Sequence, residues 1–325
     1  MKKVIVYPIL VFCLSITNYS YAQDPVFTQF YSNPLYLNPA FAGSAKCPRF
    51  TMNYRNQWSG ITSGAPVYST YSASYDQHIR AIGGGIGILL MQDDAGDGTI
   101  KTTNASAIYT SQVVLNRKFS IKMGLQSTLM QKTLTNKLTF GDQIDPRAGF
   151  IFNTQETDIG VEGSSMRKTN IDFSAGALLF SQKYFMGFAA SHLTQPDEGF
   201  IGPSKLPLKI TAHAGAYIPI GSKEEEISIS PNILFRKQQN FQELNLGIYI
   251  NKGPITGGLW YRNNDAFALL MGFRKGLFKF GYSYDVTVSK LLNSNSAGSH
   301  EISMAIQIKC KPHSIKYFTH CCPHF

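Results

Sequence analysis

The feature that most constrains this chain is a period of two. In Ile302-Ser303-Met304-Ala305-Ile306-Gln307-Ile308-Lys309, the residues Ile302, Met304, Ile306 and Ile308 share one face, and Ser303, Ala305, Gln307 and Lys309 share the other. A strand between two media requires that pattern. The same alternation sets Phe278, Phe280, Tyr282 and Tyr284 against Lys279, Gly281, Ser283 and Asp285, and Leu244, Leu246, Ile248 and Ile250 against Asn245, Gly247, Tyr249 and Asn251. It returns in Ile210, Ala212, Ala214, Ala216 and Ile218 against Thr211, His213, Gly215 and Tyr217. Runs bounded by turn residues predict strands at 48–57, 66–77, 80–92, 99–115, 119–131, 170–181, 183–192, 208–219, 226–236, 241–251, 254–262, 265–274, 277–286 and 300–309, about fourteen in all.

Beyond an apolar leader, no stretch reaches the roughly 18 consecutive apolar residues of a membrane-spanning helix. A β-barrel is not excluded by that, because alternating strands average to an unremarkable hydropathy, here a mean of -0.10. The even strand number suits a single-chain bacterial barrel, whose two termini lie on the periplasmic side. So does the parity of the connections. If the first strand runs outward, the outer connections near 58–65, 93–98, 132–169, 193–207 and 287–299 are mostly long, while the turns at 77–79, 116–118, 182, 252–253 and 275–276 are short. The connection near 219–226 is longer than a tight turn, and those at 237–240 and 263–264 are short for outer ones. A soluble sandwich also alternates, but charge then dominates its outer face. Here charged residues make up only 15 % of the 325 residues, the polar faces are mostly Ser, Thr, Gly, Asn and Gln, and aromatics crowd the strand ends as interfacial girdles do. The fold expected is all-β, a transmembrane antiparallel β-barrel of about fourteen strands with an N-terminal plug-like or periplasmic segment.

Residues 1–22 read as a signal peptide: Lys2 and Lys3, the apolar run from Val4 to Ile16, then Ser20-Tyr21-Ala22. Cys13 invites a lipoprotein reading, but bulky Phe12 precedes it where a small residue is needed. The remaining organisation expected is an aromatic, Asn-Pro-rich segment at 23–47, the barrel at 48–309 and a tail at 310–325. The formal charge of +10 is scattered and not clustered on one helix, so it reads as charge near anionic lipid headgroups or in a barrel lumen, with outer-membrane lipids and not nucleic acid as the partners implied. Without the leader, Cys47, Cys310, Cys321 and Cys322 remain. A bridge from Cys310 to the Cys321/Cys322 pair is one option, although spacing does not fix connectivity. His320-Cys321-Cys322-Pro323-His324 lacks the separated Cys pairs of a structural zinc site.

Motifs of chemistry fail their contexts. Gly83-Gly84-Gly85-Ile86-Gly87 is followed by Ile88-Leu89-Leu90 and not by a helix start, so it reads as crowding relief or a strand bend and not as a phosphate loop. Asp93-Asp94-Ala95-Gly96-Asp97-Gly98 lacks the twelfth-position Glu of a calcium loop. His213 has no nucleophile-elbow or zinc-helix motif to serve, and the pairs Asp142/Asp145 and Asp197/Glu198 sit in turn-rich loops where Asx hydrogen bonds explain them. No catalytic residue, cofactor or metal is expected.

The segment DPVFTQFYSNPLYLNPAFAGS, residues 24–44, is uncharged after Asp24 and holds two Asn-Pro pairs among five aromatic rings. Pro34 and Pro39 favour extended Asn33 and Asn38, so a stiff, kinked ribbon is expected, packed inside the lumen or under the periplasmic mouth. Together with Tyr54-Arg55-Asn56-Gln57-Trp58, this opening resembles the start of the PorP/SprF family, outer-membrane proteins of the type IX secretion system in the Bacteroidetes. The resemblance continues through Phe140-Gly141-Asp142-Gln143-Ile144-Asp145, Gly281-Tyr282-Ser283-Tyr284-Asp285, Gly298-Ser299-His300-Glu301-Ile302-Ser303 and Cys322-Pro323-His324-Phe325, with the doubled Cys321-Cys322 as a departure. It implies a non-enzymatic outer-membrane barrel that assists secretion or surface attachment of cargo, often gliding adhesins, by binding their C-terminal signal domains, with periplasmic ring components as further partners. Asn33, Pro34, Asn38, Pro39, Arg55 and Trp58 are the candidates for partner contact, although an inward Arg55 also suits an ion pair across the lumen. The rival readings are a small-solute channel with an N-terminal plug and a secreted soluble β-protein.

Overall fold

The computed structural model describes residues 24–45, 47–59, 67–135, 144–145, 149–150, 166–200, 202–220, 227–263, 265–288, 297–308 and 310. The expected leader at 1–22, Asp142 and nearly all of the 310–325 tail lie outside these residues.

The strands are β1 (Arg49–Gln57), β2 (Tyr68–Ile79), β3 (Gly84–Ala95), β4 (Ile100–Val114), β5 (Ser120–Leu134), β6 (Met166–Phe180), β7 (Tyr184–Ser191), β8 (Lys209–Ala216, resuming after Tyr217 as Ile218–Ile220), β9 (Ile227–Gln238), β10 (Phe241–Lys252), β11 (Ile255–Arg262), β12 (Ala266–Lys275), β13 (Phe278–Thr287) and β14 (Ser299–Gln307). Each pairs antiparallel with the next, and β1 pairs with β14 from Arg49↔Gln307 to Gln57↔Ser299. The sheet thus closes into a fourteen-stranded barrel with no free edge. A two-residue ribbon, Ile144–Asp145 with Gly149–Phe150, lies in the longest connection.

Closure sorts the alternating side chains. Outward, Ile88 is 54 %, Leu125 66 % and Met271 71 % exposed; inward, Asp76, Thr110 and Glu301 are fully buried. An apolar exterior around a polar interior is the inverse of a soluble sandwich, and the exposed band is far larger than a water-facing surface tolerates. Aromatic pairs mark both edges of the band: Phe50–Tyr75 at 4.7 Å near the short-turn end, and Tyr54–Tyr71 at 4.9 Å and Tyr261–Phe267 at 5.0 Å near the other. The connections 80–83, 115–119, 181–183, 253–254 and 276–277 are short and share one end, the periplasmic one in barrels of this kind; the connections that follow Gln57, Leu134, Ser191 and Thr287 begin at the other.

Two expectations need correcting. The strand expected at 80–92 starts later, because Arg80–Ile82 form a 3-10 turn ended by Gly83 at φ +61°. Cys310 is bonded to Cys47, not to Cys321 or Cys322, with the Cα atoms 5.6 Å apart. The β1–β14 ladder brings these two residues, 263 apart in sequence, to one seam.

Candidate functional site

Residues 24–44 run through the lumen. Asp24 meets His192, Lys209 and Gln238 at the long-loop ends of β7–β9, and Gly43 meets Asp76 at the short-turn end of β2. The kinks of the ribbon expected from its Asn-Pro pairs are short helical turns: Phe30–Ser32, α1 (Pro34–Leu37) and Pro39–Phe41. The reason is local. Each proline occupies the first position of a turn, where a fixed φ and a missing N–H cost nothing, and Asn38 caps the last turn by accepting from the Ala40 N–H at 2.9 Å. Of the two asparagines expected to be extended, Asn38 is, at φ -160° and ψ 122°, and Asn33, at φ -120° and ψ 65°, is not.

Three sets of contacts hold the segment. Near the outer end, Asp24 Oδ2 lies 2.5 Å from Lys209 Nζ and 2.8 Å from His192 Nε2, and His192 Nδ1 lies 2.8 Å from Asp172 Oδ2. Burial opposes the charge on Asp24, but Lys209 and His192 outweigh it and hold the carboxyl well below its usual range. Burial likewise opposes the charge on His192, and Asp24 with Asp172 overturns it, pushing the imidazole up to about 9.

Further in, Thr28 donates its backbone N–H to Glu301 at 2.6 Å and its hydroxyl to Asp285 at 2.6 Å, while the Gln29 N–H reaches Glu301 at 3.1 Å. Arg55 bridges the same acids, 2.8 Å from Asp285 and 3.3 Å from Glu301, and also donates to the Thr28 hydroxyl. Arg262 joins them through Glu243 at 3.3 Å and Asp285 at 3.7 Å. Taking these charges out of water is costly, and it is offset only because each acid meets a guanidinium or a segment donor.

The third set packs closely. Phe30 stands edge-on to Trp260 at 5.1 Å, Phe41 stacks on His213 at 5.4 Å, and Asn38 donates to the carbonyls of Ala177 and Phe188 at 3.1 and 3.2 Å. At the inner end the Ala42 carbonyl accepts from Thr110 and Lys122 at 2.9 and 2.7 Å. Here the backbones nearly touch: a Cβ on Gly85 would lie 2.4 Å from the Ala42 oxygen, and one on Gly124 would lie 2.6 Å from the Ala40 nitrogen. The glycine run at 83–87 therefore relieves crowding, as its strand context predicts, and the neighbour it admits is the chain's own front end.

The segment crosses the lumen on a diagonal and leaves a cavity on each side. One, of about 570 Å³, lies beneath Gln29, Tyr31 and Ser32, walled by the short-turn halves of β8–β14 and β1. The other, of about 90 Å³, lies toward the outer loops between Asp24, Tyr36 and Pro39 and strands β3–β7. They share no lining residue.

The family model described as type IX secretion system membrane protein PorP/SprF matches residues 19–306. The chain belongs to that family. It is therefore a membrane protein of the type IX secretion system, a membership that implies contact with other components of the machinery. No curated protein matches it. Among solved structures, it is similar in fold to a Pseudomonas aeruginosa FadL homologue (12 % identity, 82 % of this chain and 93 % of that one, TM-score 0.40). The CymD monoaromatic hydrocarbon channel is likewise similar (12 %, 85 % and 93 %, 0.46), as is a triple mutant of Rhodopseudomonas blastica porin (7 %, 81 % and 99 %, 0.33).

In this PorP/SprF member the structure gathers Asn33, Pro34, Asn38, Pro39 and Arg55 inside the barrel, all buried. Asn33 donates to Ser72 at 2.8 Å, and Arg55 forms its ion pairs not across the lumen, as expected, but along one wall, with Glu301 directly opposite it on β14 and Asp285 on β13, because closure of the sheet sets β14 beside β1. Trp58 stands apart, half-buried at the outer end of β1, with φ +56° and its ring edge-on to Tyr68 at 5.5 Å. Asp197 accepts from the N–H groups of Gly199 and Ser204 at 3.1 and 2.7 Å and pairs with Lys168, so turn formation accounts for it. Among the described residues no cluster could hold a metal ion. The His192–Asp24–Lys209 cluster was missed in the sequence, since its members lie far apart along the chain. The inward guanidinium of Arg55, already suited to an ion pair, was the signal that pointed to a buried charge network.

Proposed function

We propose that this outer-membrane barrel, exported through its leader, is a non-enzymatic component that assists secretion or surface attachment of cargo proteins such as gliding adhesins. It binds their C-terminal signal domains at the outer loops and periplasmic components of the same Bacteroidetes machine at the short-turn face. One observation carries the reading beyond family membership: the charges in the middle of the lumen are already matched, by one another and by residues 24–44, which leaves the two ends as the surfaces available to proteins. A photo-crosslinking residue placed at Trp58 in cells should capture the C-terminal domain of a secreted cargo, and loss of the gene should abolish cargo display. Normal display in cells lacking the chain would refute the proposal.

The paired cavities favour a second reading, a small-solute channel in which the segment acts as a movable plug. Steady solute flux through liposomes containing the purified chain alone would put that reading in place of the first.

A further inference from the structure

The larger cavity is built for an anion. Its mouth at the short-turn end carries Arg49, Arg274 and Lys279, and no Asp or Glu lines it. Arg49 is engaged by Asp76 through Nε and Nη2, at 2.9 and 3.2 Å. Arg274 makes one long bond, 3.4 Å to the Gly253 carbonyl. Lys279 is half-buried and makes no hydrogen bond or ion pair among the described residues. A cation partly removed from water without a counter-charge is a cost the fold carries for another reason. Deeper in, Ser228, Asn251 and Thr256 offer hydroxyl and amide groups, and Tyr249 and Leu270 form an apolar wall.

We infer that this vestibule binds a short acidic peptide segment of a periplasmic protein, its carboxylates on Lys279 and Arg274 and an apolar side chain against Tyr249 and Leu270. The inference rests on the reading of the chain as a protein-binding barrel, but it concerns the face opposite the outer loops. About 570 Å³ far exceeds a lone phosphate and falls within the roughly 300–1,000 Å³ of small-ligand sites. Outward-facing Met271 and Phe280 border the same space at its rim, which makes an anionic lipid headgroup the competing occupant. The polar inward walls favour the peptide, because they match a backbone and not an acyl chain.

The test uses the full-length chain in phosphatidylcholine nanodiscs and a fluorescein-labelled acidic hexapeptide, Asp-Glu-Phe-Glu-Leu-Asp, followed by anisotropy. Saturable binding is expected, weakened about tenfold by the double charge reversal Arg274→Glu with Lys279→Glu. Weakening of about the same size is expected from Thr256→Trp, which fills the cavity and leaves its charge intact. A hexapeptide with Lys at the acidic positions should not bind. If the double reversal does not insert, Lys279→Gln replaces it, with about threefold weakening expected. The proposal is overturned by absence of binding up to roughly 1 mM peptide, by a charge effect with no Thr256→Trp effect, or by competition from phosphatidylglycerol that removes peptide binding. Each of these leaves cargo display at the outer loops untouched, so failure here is distinct from failure of the reading above.

Discussion

At its outer end the N-terminal segment hangs on charge, with Asp24 between His192 and Lys209, whereas at its inner end it lies backbone to backbone against Gly85 and Gly124. Charge tolerates small displacements and responds to solution conditions; steric fit does neither. The same segment thus has a conditional end facing the loops and a fixed end facing the short turns. Between them, the Arg55 cluster belongs to both kinds, being charged yet closed to water.

The sharpest way to break this comparison is to remove the middle. Arg55→Met leaves Asp285 and Glu301 buried with one fewer partner, and should cost about 3–5 kcal/mol in urea unfolding of the vesicle-inserted barrel. A loss below about 1 kcal/mol would mean that water reaches the cluster. Replacing both Cys47 and Cys310 by Ala removes the seam bond and should cost about 2–5 kcal/mol in the same assay, without exposing the segment's outer end. On the steric side, Gly124→Leu drives a side chain into Pro39–Ala40 and should cost about 1–3 kcal/mol. A maleimide-reactive Val26→Cys reporter near the outer end should be left nearly unaffected. Faster labelling of Val26→Cys in the Gly124→Leu background would show that the segment moves as one body.

The smallest effect concerns pH. His192 is raised from 6.5 to about 9, so its contribution is complete below about 6.5 and is lost as pH rises through about 9. The depressed Asp24 contributes above its ordinary carboxylate range and loses that only in strong acid. Labelling of Val26→Cys, divided at each pH by that of a free cysteine peptide so that the rising thiolate fraction cancels, should therefore quicken a few-fold between about pH 7 and 10, and His192→Gln should flatten the normalised profile. An unchanged profile would mean that Lys209 alone holds Asp24.

Much of the wall was legible because lipid on one face and polar interior on the other impose a strict period of two. It failed where that contrast fades. The strands expected at 119–131 and 170–181 continue as β5 and β6 to Leu134↔Met166, since Lys132, Arg167 and Lys168 lie above the apolar band, where both faces are polar. The run expected at 208–219 breaks at Tyr217, which periodicity does not register. The Asn-Pro pairs announced a stiff segment, but whether proline opens a helical turn or extends the residue before it depends on neighbours across the lumen. The Cys47–Cys310 bond and the Asp24 cluster were illegible for the same reason: each joins residues that only closure of the sheet makes adjacent.

That bond turns residues 47–310 into a covalent hoop, so everything before Cys47 is a branch growing from a ring. Were the branch withdrawn, it would leave through the short-turn opening where it is rooted, and residues 24–46, stretched out, would sweep a radius of about 75 Å from that root. A chain packed as the barrel's filling carries, folded within it, an arm long enough to reach well into the compartment below.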